Sequence, residues 1–402
     1  MKILLLSSIY PLPGPDNQGT KVCHFFAKEW VAAGHSVVAV HFQATYPAPF
    51  YWVASLFQKK LAARTGSIVY TYRETESTQF KMDDVDVLRI PLYKPYPHAR
   101  FTQRGINKSV DIIKRYLSSM EFTPDVMVGH FLNPQLEVLG ILKSYFKNSK
   151  TGLVLHLPAE LDMAEKLYGS HFVEMIDGMD AVGFRNLPLQ KMFERRFNLQ
   201  KHKFICYSGI PEAFVSKKNA HSFNGKLNKF IFVGGLIERK YPAQILYALN
   251  DCYPDKDFNI KYVGAGQQED TIKRISALYN LSGQVELSGK INRDEIVSMY
   301  DDADCMIMIS KGEAYGLVYL EAMARGCITI ASRDEGMDGV ILHGKNGFLC
   351  KAGDSVELAK LINSINLLSR DEKMAISNNA IVTARELTDK IVAKRYLSDM
   401  CC

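Results

Sequence analysis

Two carboxylates, Glu313 and Glu321, stand eight positions apart in "SKGEAYGLVYLEAMARG" (310–326), the second on what otherwise reads as the apolar stripe of a helix. Far upstream, Arg239 and Lys240 are adjacent in "VGGLIERKYPAQ", just after the buried run "KFIFV" and the turn Gly234-Gly235. Two cations beside a glycine turn and a helix start suit a diphosphate: Arg offers a bidentate fork, Lys a point charge and the helix its free N–H groups. Cations in a first helical turn oppose the helix dipole and so call for an anion. The helix after Glu313 is expected to begin near Tyr315 or Gly316, which leaves the amides of Gly316, Leu317 and Val318 for a second face of the same phosphates. Glu321 has two readings. It could pair with Arg325 at i,i+4, worth about 0.2–0.5 kcal/mol, or accept hydrogen bonds from two neighbouring ribose hydroxyls. Spacing alone leaves both open. With Glu313 reaching past the phosphates, the pattern describes a nucleoside-diphosphate ligand with a polyhydroxylated far end.

Two series of elements must position these groups. "KILLLSSIY" reads as a buried strand, "GTKVCHFFAKEWVAAGH" as a helix and "SVVAVHF" as the next strand, one right-handed βαβ unit. The alternation returns at "PDVMVGHF", "PQLEVLGILKSYF" and "TGLVLHL". A second series runs from "KFIFVGG" through "NIKYVGAG", "QVELSG" and "DCMIMIS" to "CITIAS", five strands alternating with helices. The fold class is therefore α/β: two Rossmann-like, doubly wound parallel-sheet domains, with ligands expected at the carboxyl ends of the strands in a central cleft. The expected boundaries are 1–210 for the first domain, 211–228 for a Lys-rich linker, 229–375 for the second domain and 376–402 for a last helix crossing back toward the first domain.

Composition bounds the function. A chain of 402 residues fits two domains, and 47% hydrophobic with 23% charged residues is globular composition. Eight cysteines without a Cys-x-x-Cys pair argue for reduced thiols in a cytoplasmic protein; Cys401-Cys402 reads as a frayed terminus or a lipidation signal. The apolar start "ILLL" is too short for a signal peptide, and no run is long enough to span a bilayer. The net charge of +6 comes from the first half. Residues 50–115 carry 12 basic and 6 acidic residues, and the helix-like stretch 50–64 is aromatic first, then basic at Lys59, Lys60 and Arg64. It reads either as an amphipathic cover for the first sheet or as a peripheral contact with the inner face of the membrane. A nucleic-acid partner is not expected: the pI of about 8.7 is below the usual basic footprint, and no strand interleaves aromatic with basic residues.

"VGGLIERK", "KYVGAG", "VELSGKI", "DADCMIMIS", "EAYGLVYLEAMARG" and "HGKNGFL" resemble, in order and spacing, the retaining GT-B glycosyltransferases of the large family-four type. The hallmark Glu-x7-Glu is matched by Glu313 and Glu321. The resemblance is strong over 229–350, looser over 1–42, 125–160 and 204–211, and absent over 47–115. It implies that Glu313 contacts the transferred sugar, Glu321 the ribose, and Arg239 with Lys240 the leaving diphosphate. It further implies that Gly316 and Leu317 are backbone phosphate donors and that Lys290 and Ile291 flank the base. His156 matches a histidine facing the donor sugar, and Gly19 a glycine loop near phosphates and acceptor. It implies no metal and no cofactor, the donor being a co-substrate, with UDP- or GDP-linked sugars foremost. The basic, aromatic character of 47–115, outside the resemblance, suits as acceptor a glycan or lipid-linked glycan of cell-surface polysaccharide or glycoconjugate synthesis. Three departures stand out: Gly234-Gly235 replaces a Gly-Arg pair, Leu-Pro rather than glycine follows His156, and Ser208-Gly209 replaces Asn-Gly.

Rival readings exist. A hydrolase could use two Glu but has no need of Arg239 and Lys240. A nucleotide-sugar epimerase shares the two-domain form, and a noncatalytic nucleotide-sugar-binding subunit of a polysaccharide-assembly complex would keep the pocket. Asp84-Val85-Asp86 imitates a metal-binding Asp-x-Asp, but its place in "KMDDVDV" makes it an acidic turn.

Overall fold

The computed structural model describes residues 1–13, 21–65, 70–97, 99–216, 221–292 and 295–401, without the side chains of 59–65 and 216. Gly19, the side chains of Lys59, Lys60 and Arg64, and part of the expected linker thus lie outside the described residues. The chain forms two compact units: residues 1–185, 189–206 and 393–402, and residues 186–188 with 207–392.

The strands of the first unit are β1 (Lys2–Ser7), β2 (Ser36–Thr45), β3 (Thr78–Met82), β4 (Val85–Tyr93), β5 (Val126–His130), β6 (Lys150–Leu155), β7 (Ala181–Phe184) and β8 (His202–Ile205). The inner ones, such as β1 and β5, are continuous apolar runs buried on both faces, as parallel sheets require, whereas β3 is largely exposed and β8 part-buried. Their order is β3-β4-β2-β1-β5-β6-β7-β8, parallel except for β3 against β4. The β3–β4 hairpin turns on Asp83 and Asp84, both at positive φ, so the acidic stretch is a hairpin turn and Asp86 already belongs to β4. The core of this unit is built from Leu4, Leu6, Val38, Val40, Met127 and Leu153, closed by helices such as Gln103–Ser119 and Gln135–Tyr145.

The second unit holds β9 (Lys229–Val233), β10 (Asn259–Val263), β11 (Val285–Gly289), β12 (Cys305–Ile307), β13 (Ile328–Ser332) and β14 (Phe348–Cys350), ordered β11-β10-β9-β12-β13-β14 and all parallel. Counted from the unit's first strand this is 3-2-1-4-5-6, the doubly wound order, with its switch point between β9 and β12. The sixth strand corrects the five expected. At three residues β14 has no readable period, and it becomes a strand only by pairing with Ile330 to Ser332.

The expected single last helix is two, Arg370–Arg385 and Asp389–Cys401. Between them the Asp389 amide donates to the Ile210 carbonyl at 2.9 Å and the Ile210 amide to the Leu387 carbonyl at 3.1 Å, so the backbone bonds that would continue the helix are made to another segment. A Cβ on Gly209 would lie 2.3 Å from the Asp389 amide nitrogen, which is why this approach needs a glycine. From Ala393 onward the chain belongs to the first unit, where the Trp30 indole donates to the Ala393 carbonyl at 2.9 Å.

Candidate functional site

Most candidate residues of the second unit, those between Gly235 and Lys240 and between Glu313 and Val318, follow β9 and β12, the strands that flank the switch point. Beyond β9 the Gly234 amide donates to Val263 at 2.8 Å, and beyond β10 the Gly264 amide donates to Gly289 at 2.7 Å. The ladder thus runs on into the glycine turns. Leu236 donates to Ala265 at 3.1 Å and Gln268 to Leu236 at 2.9 Å, which knits the loops after β9 and β10 into one platform. Gly235 lies within it, half-buried.

Arg239 and Lys240 do not open the following helix, as expected from sequence, but end a 3₁₀ turn, Glu238–Lys240. Tyr241, left-handed at φ 49°, then starts the helix Pro242–Cys252 with proline at its first turn. The turn explains how two adjacent side chains converge. Arg239 NH1 and Lys240 Nζ each lie 3.5 Å from Glu313 Oε2. The loop after β12 is held to that turn by its backbone: the Lys311 amide donates to the Arg239 carbonyl at 2.7 Å, and Arg239 NH1 donates to the Lys311 carbonyl at 3.2 Å. Burial pulls the Lys240 ammonium below the ordinary lysine value, Glu313 opposing and Arg239 adding to the shift. A partly desolvated cation beside a single carboxylate is well placed to take up further negative charge.

The helix Leu317–Ala324 starts on Gly316 at φ 92°, ψ 73°. A Cβ there would fall 2.5 Å from the Tyr319 ring, so glycine is needed for both conformation and room. Gly316, Leu317 and Val318 occupy the first turn, where amides have no carbonyl within the helix. The Tyr319 hydroxyl donates to the Met308 carbonyl at 2.7 Å and lies 3.1 Å from Ser310 Oγ, pinning this turn to the end of β12. The Glu313 amide donates to Glu335 Oε2 at 2.9 Å. Glu335 and Tyr319 support the loop yet gave no signal in the sequence, one lying beyond β13 and the other passing for an ordinary apolar-stripe residue.

Glu321 is buried, with the Tyr300 hydroxyl 3.5 Å from its Oε2. Arg325, the alternative partner on spacing, donates from Nε to Asp301 Oδ1 at 2.7 Å and from NH1 to the Phe214 carbonyl at 3.0 Å. Lys290 and Ile291 follow β11, two strands out from β9 at the sheet edge. Among the described residues no group of three or more His, Cys, Asp or Glu is placed to hold a metal ion.

His156 belongs to the first unit, just beyond β6. It is buried, its Nε2 lies 3.0 Å from His130 Nδ1, and it stacks on Phe131 with centroids 3.9 Å apart. His130 Nε2 lies in turn 3.1 Å from the Tyr396 hydroxyl. Glu160 gathers this corner by accepting from the amides of Leu132 at 2.7 Å, His156 at 2.5 Å and Leu157 at 2.9 Å. Burial holds both imidazoles neutral, pushing His130 down to about 3 and His156 well below the usual 6.5. The unfolded chain binds these two protons below about 6.5 and the folded unit does not, so the pair stabilises above that pH and the contribution is lost as pH falls. Glu160, raised by burial to about 7 from 4.5, works in the opposite sense between those values. We therefore expect stability to fall with pH below about 6.5 by less than the two-proton limit of about 2.7 kcal/mol per pH unit. His130→Gln should flatten that slope in denaturant titrations at stepped pH.

Residues 215–382 match the family model described as "Glycosyl transferases group 1". An uncharacterised glycosyltransferase of Methanocaldococcus jannaschii is 24% identical over 81% of this chain and 87% of its own length. The N-acetyl-alpha-D-glucosaminyl L-malate synthase of Bacillus anthracis is 30% identical over 35% of this chain and 36% of its own. Among solved structures, Anabaena HepE in complex with UDP superposes with a TM-score of 0.66 at 16% identity, covering all of both chains. At that identity the likeness shows the fold, which is GT-B-like: two doubly wound units followed by C-terminal helices. The second unit is related in sequence to the group 1 glycosyl transferases.

Proposed function

We propose that the protein transfers a glycosyl group from a nucleotide-diphosphate sugar to an acceptor hydroxyl, with retention at the anomeric carbon and without a metal ion. The observation that carries this reading is the convergence of Arg239 and Lys240 on Glu313 at the switch point of the second sheet, beside the helix that starts on Gly316. A group 1 glycosyl transferase match over the same unit and a UDP complex of a protein with the same fold support it.

In the proposed reaction the bond from the anomeric carbon to the diphosphate breaks, and negative charge grows on the leaving oxygens. Arg239, Lys240 and the amides of Gly316, Leu317 and Val318 stabilise that charge without reorganising. Glu313 holds hydroxyls of the transferred sugar, and Glu321 accepts from the ribose. Lys290 and Ile291, at the edge of the sheet, flank the base. The acceptor hydroxyl attacks from the face the diphosphate leaves, and its proton passes to the departing diphosphate oxygen. A glycan or lipid-linked glycan suits the acceptor side, given the basic and aromatic character of 47–115.

The donor site is tested by thermal shift with UDP, GDP, ADP and dTDP and their sugars. One nucleotide should raise the midpoint by several degrees at saturating concentration, and Glu321→Ala should abolish most of the rise. Absence of any shift with the wild type, or an undiminished shift in Glu321→Ala, would remove the ribose assignment. Product formation distinguishes a transferase from a subunit that only binds.

A further inference from the structure

Four large apolar side chains, Trp52, Val53, Leu56 and Phe57, stand exposed together on the helix Ala48–Thr65 of the first unit. Trp52, Val53 and Leu56, at i, i+1 and i+4, share one helical face, and Phe57 stands next to them at a kink where the backbone leaves helical geometry (φ −124°, ψ 16°). The opposite face is anchored: Tyr51 and Ala54 are buried, the Tyr46 amide donates to the Tyr51 hydroxyl at 3.0 Å, and Phe50 packs on the Tyr46 ring at 4.4 Å. The helix therefore spends one side on the unit and presents the other to solvent. Tyr72 and Tyr96 are exposed as well.

Charge decides what such a face fits. The helix 48–65 that carries this face has no Asp or Glu, while Lys59, Lys60 and Arg64 all lie in it. A face built only to meet an apolar partner has no need of that one-signed charge. Aromatic and aliphatic side chains followed by lysines and arginines match the layering of an anionic bilayer, with apolar groups below the headgroups and cations among them. No helix among the described residues is long and apolar enough to cross a membrane, so the contact is with its surface.

We propose that the face formed by Trp52, Val53, Leu56 and Phe57 docks this protein on an anionic lipid bilayer. The inference rests on the first unit alone and does not depend on the glycosyl-transfer reading.

The chain has two tryptophans, Trp30 at 1% exposure and Trp52 at 69%, so a change in emission on binding reports Trp52. With vesicles of phosphatidylcholine containing about 30% phosphatidylserine, emission should shift to the blue and be quenched by brominated acyl chains. The effect should weaken in about 0.5 M salt and with pure phosphatidylcholine. The double variant Leu56→Ser/Phe57→Ser, which keeps both tryptophans and alters exposed positions, should retain the thermal midpoint and bind about a hundredfold more weakly, roughly tenfold per side chain. The proposal is overturned if the wild type shows no shift with anionic vesicles, or if the double variant binds within about threefold of it. It is equally overturned if light scattering shows a dimer that the double variant loses while vesicles have no effect, which would give the face to a second copy of the chain.

Discussion

Lys240→Ala should lower the transfer rate by about 100- to 1,000-fold, the range for removing one preorganised group that faces developing negative charge. Lys240 is the stronger of the two cations because it is only 13% exposed, against 48% for Arg239, and water screens an exposed charge. Arg239→Ala should therefore cost less, about tenfold. The loss in Lys240→Ala should fall mainly on kcat, since charge on the leaving oxygen grows in the transition state, while nucleotide affinity drops by a smaller factor. Because both cations meet the same carboxylate oxygen of Glu313, the double variant should lose less than the product of the single effects. Steady-state kinetics on the four proteins tests this. A Lys240→Ala enzyme within about threefold of the wild type would remove the leaving-group role.

Gly264→Ala should be the most damaging small substitution in the second unit. Its φ of 138° is one L side chains rarely adopt, and a Cβ there would lie 1.9 Å from the Gly234 carbonyl oxygen. Neither party can yield cheaply, since that carbonyl belongs to the turn that leads into Arg239 and Lys240. A loss of about 3 kcal/mol or more is expected by urea denaturation, with nucleotide binding falling alongside. Gly283→Ala is the control: its Cβ would meet nothing within 4 Å, and the change should stay within about 0.5 kcal/mol. Equal stabilities for the two variants would mean that the loops after β9 and β10 are not the rigid platform their hydrogen bonds describe.

Much of this architecture was open to reading along the chain. Parallel strands buried on both faces must be continuous apolar runs, so "KILLLS" and "KFIFV" announce themselves, and glycine turns after strands mark where ligands bind. Arg239, Lys240, Glu313 and the helix start at Gly316 were candidates for the same reason: each stands at a strand end. What local pattern could not supply was adjacency. Only the 3-2-1-4-5-6 order makes β9 and β12 neighbours, and only then does Glu313 come within 3.5 Å of Lys240 across more than seventy residues. The strand β14, the break at 386–388 and the support from Glu335 and Tyr319 likewise depend on hydrogen bonds between distant segments, which leave no period in the sequence. Glu321 shows the division most clearly. Its spacing to Arg325 allowed a helical ion pair, but the tertiary structure buries its carboxylate beside Tyr300 and engages Arg325 with Asp301 and the Phe214 carbonyl. Residue types and short spacings determined which groups could act, because they follow from helix and strand geometry. Long-range pairing decided which of them meet, because a ladder bond costs the closure of a loop and forms only when the whole sheet does.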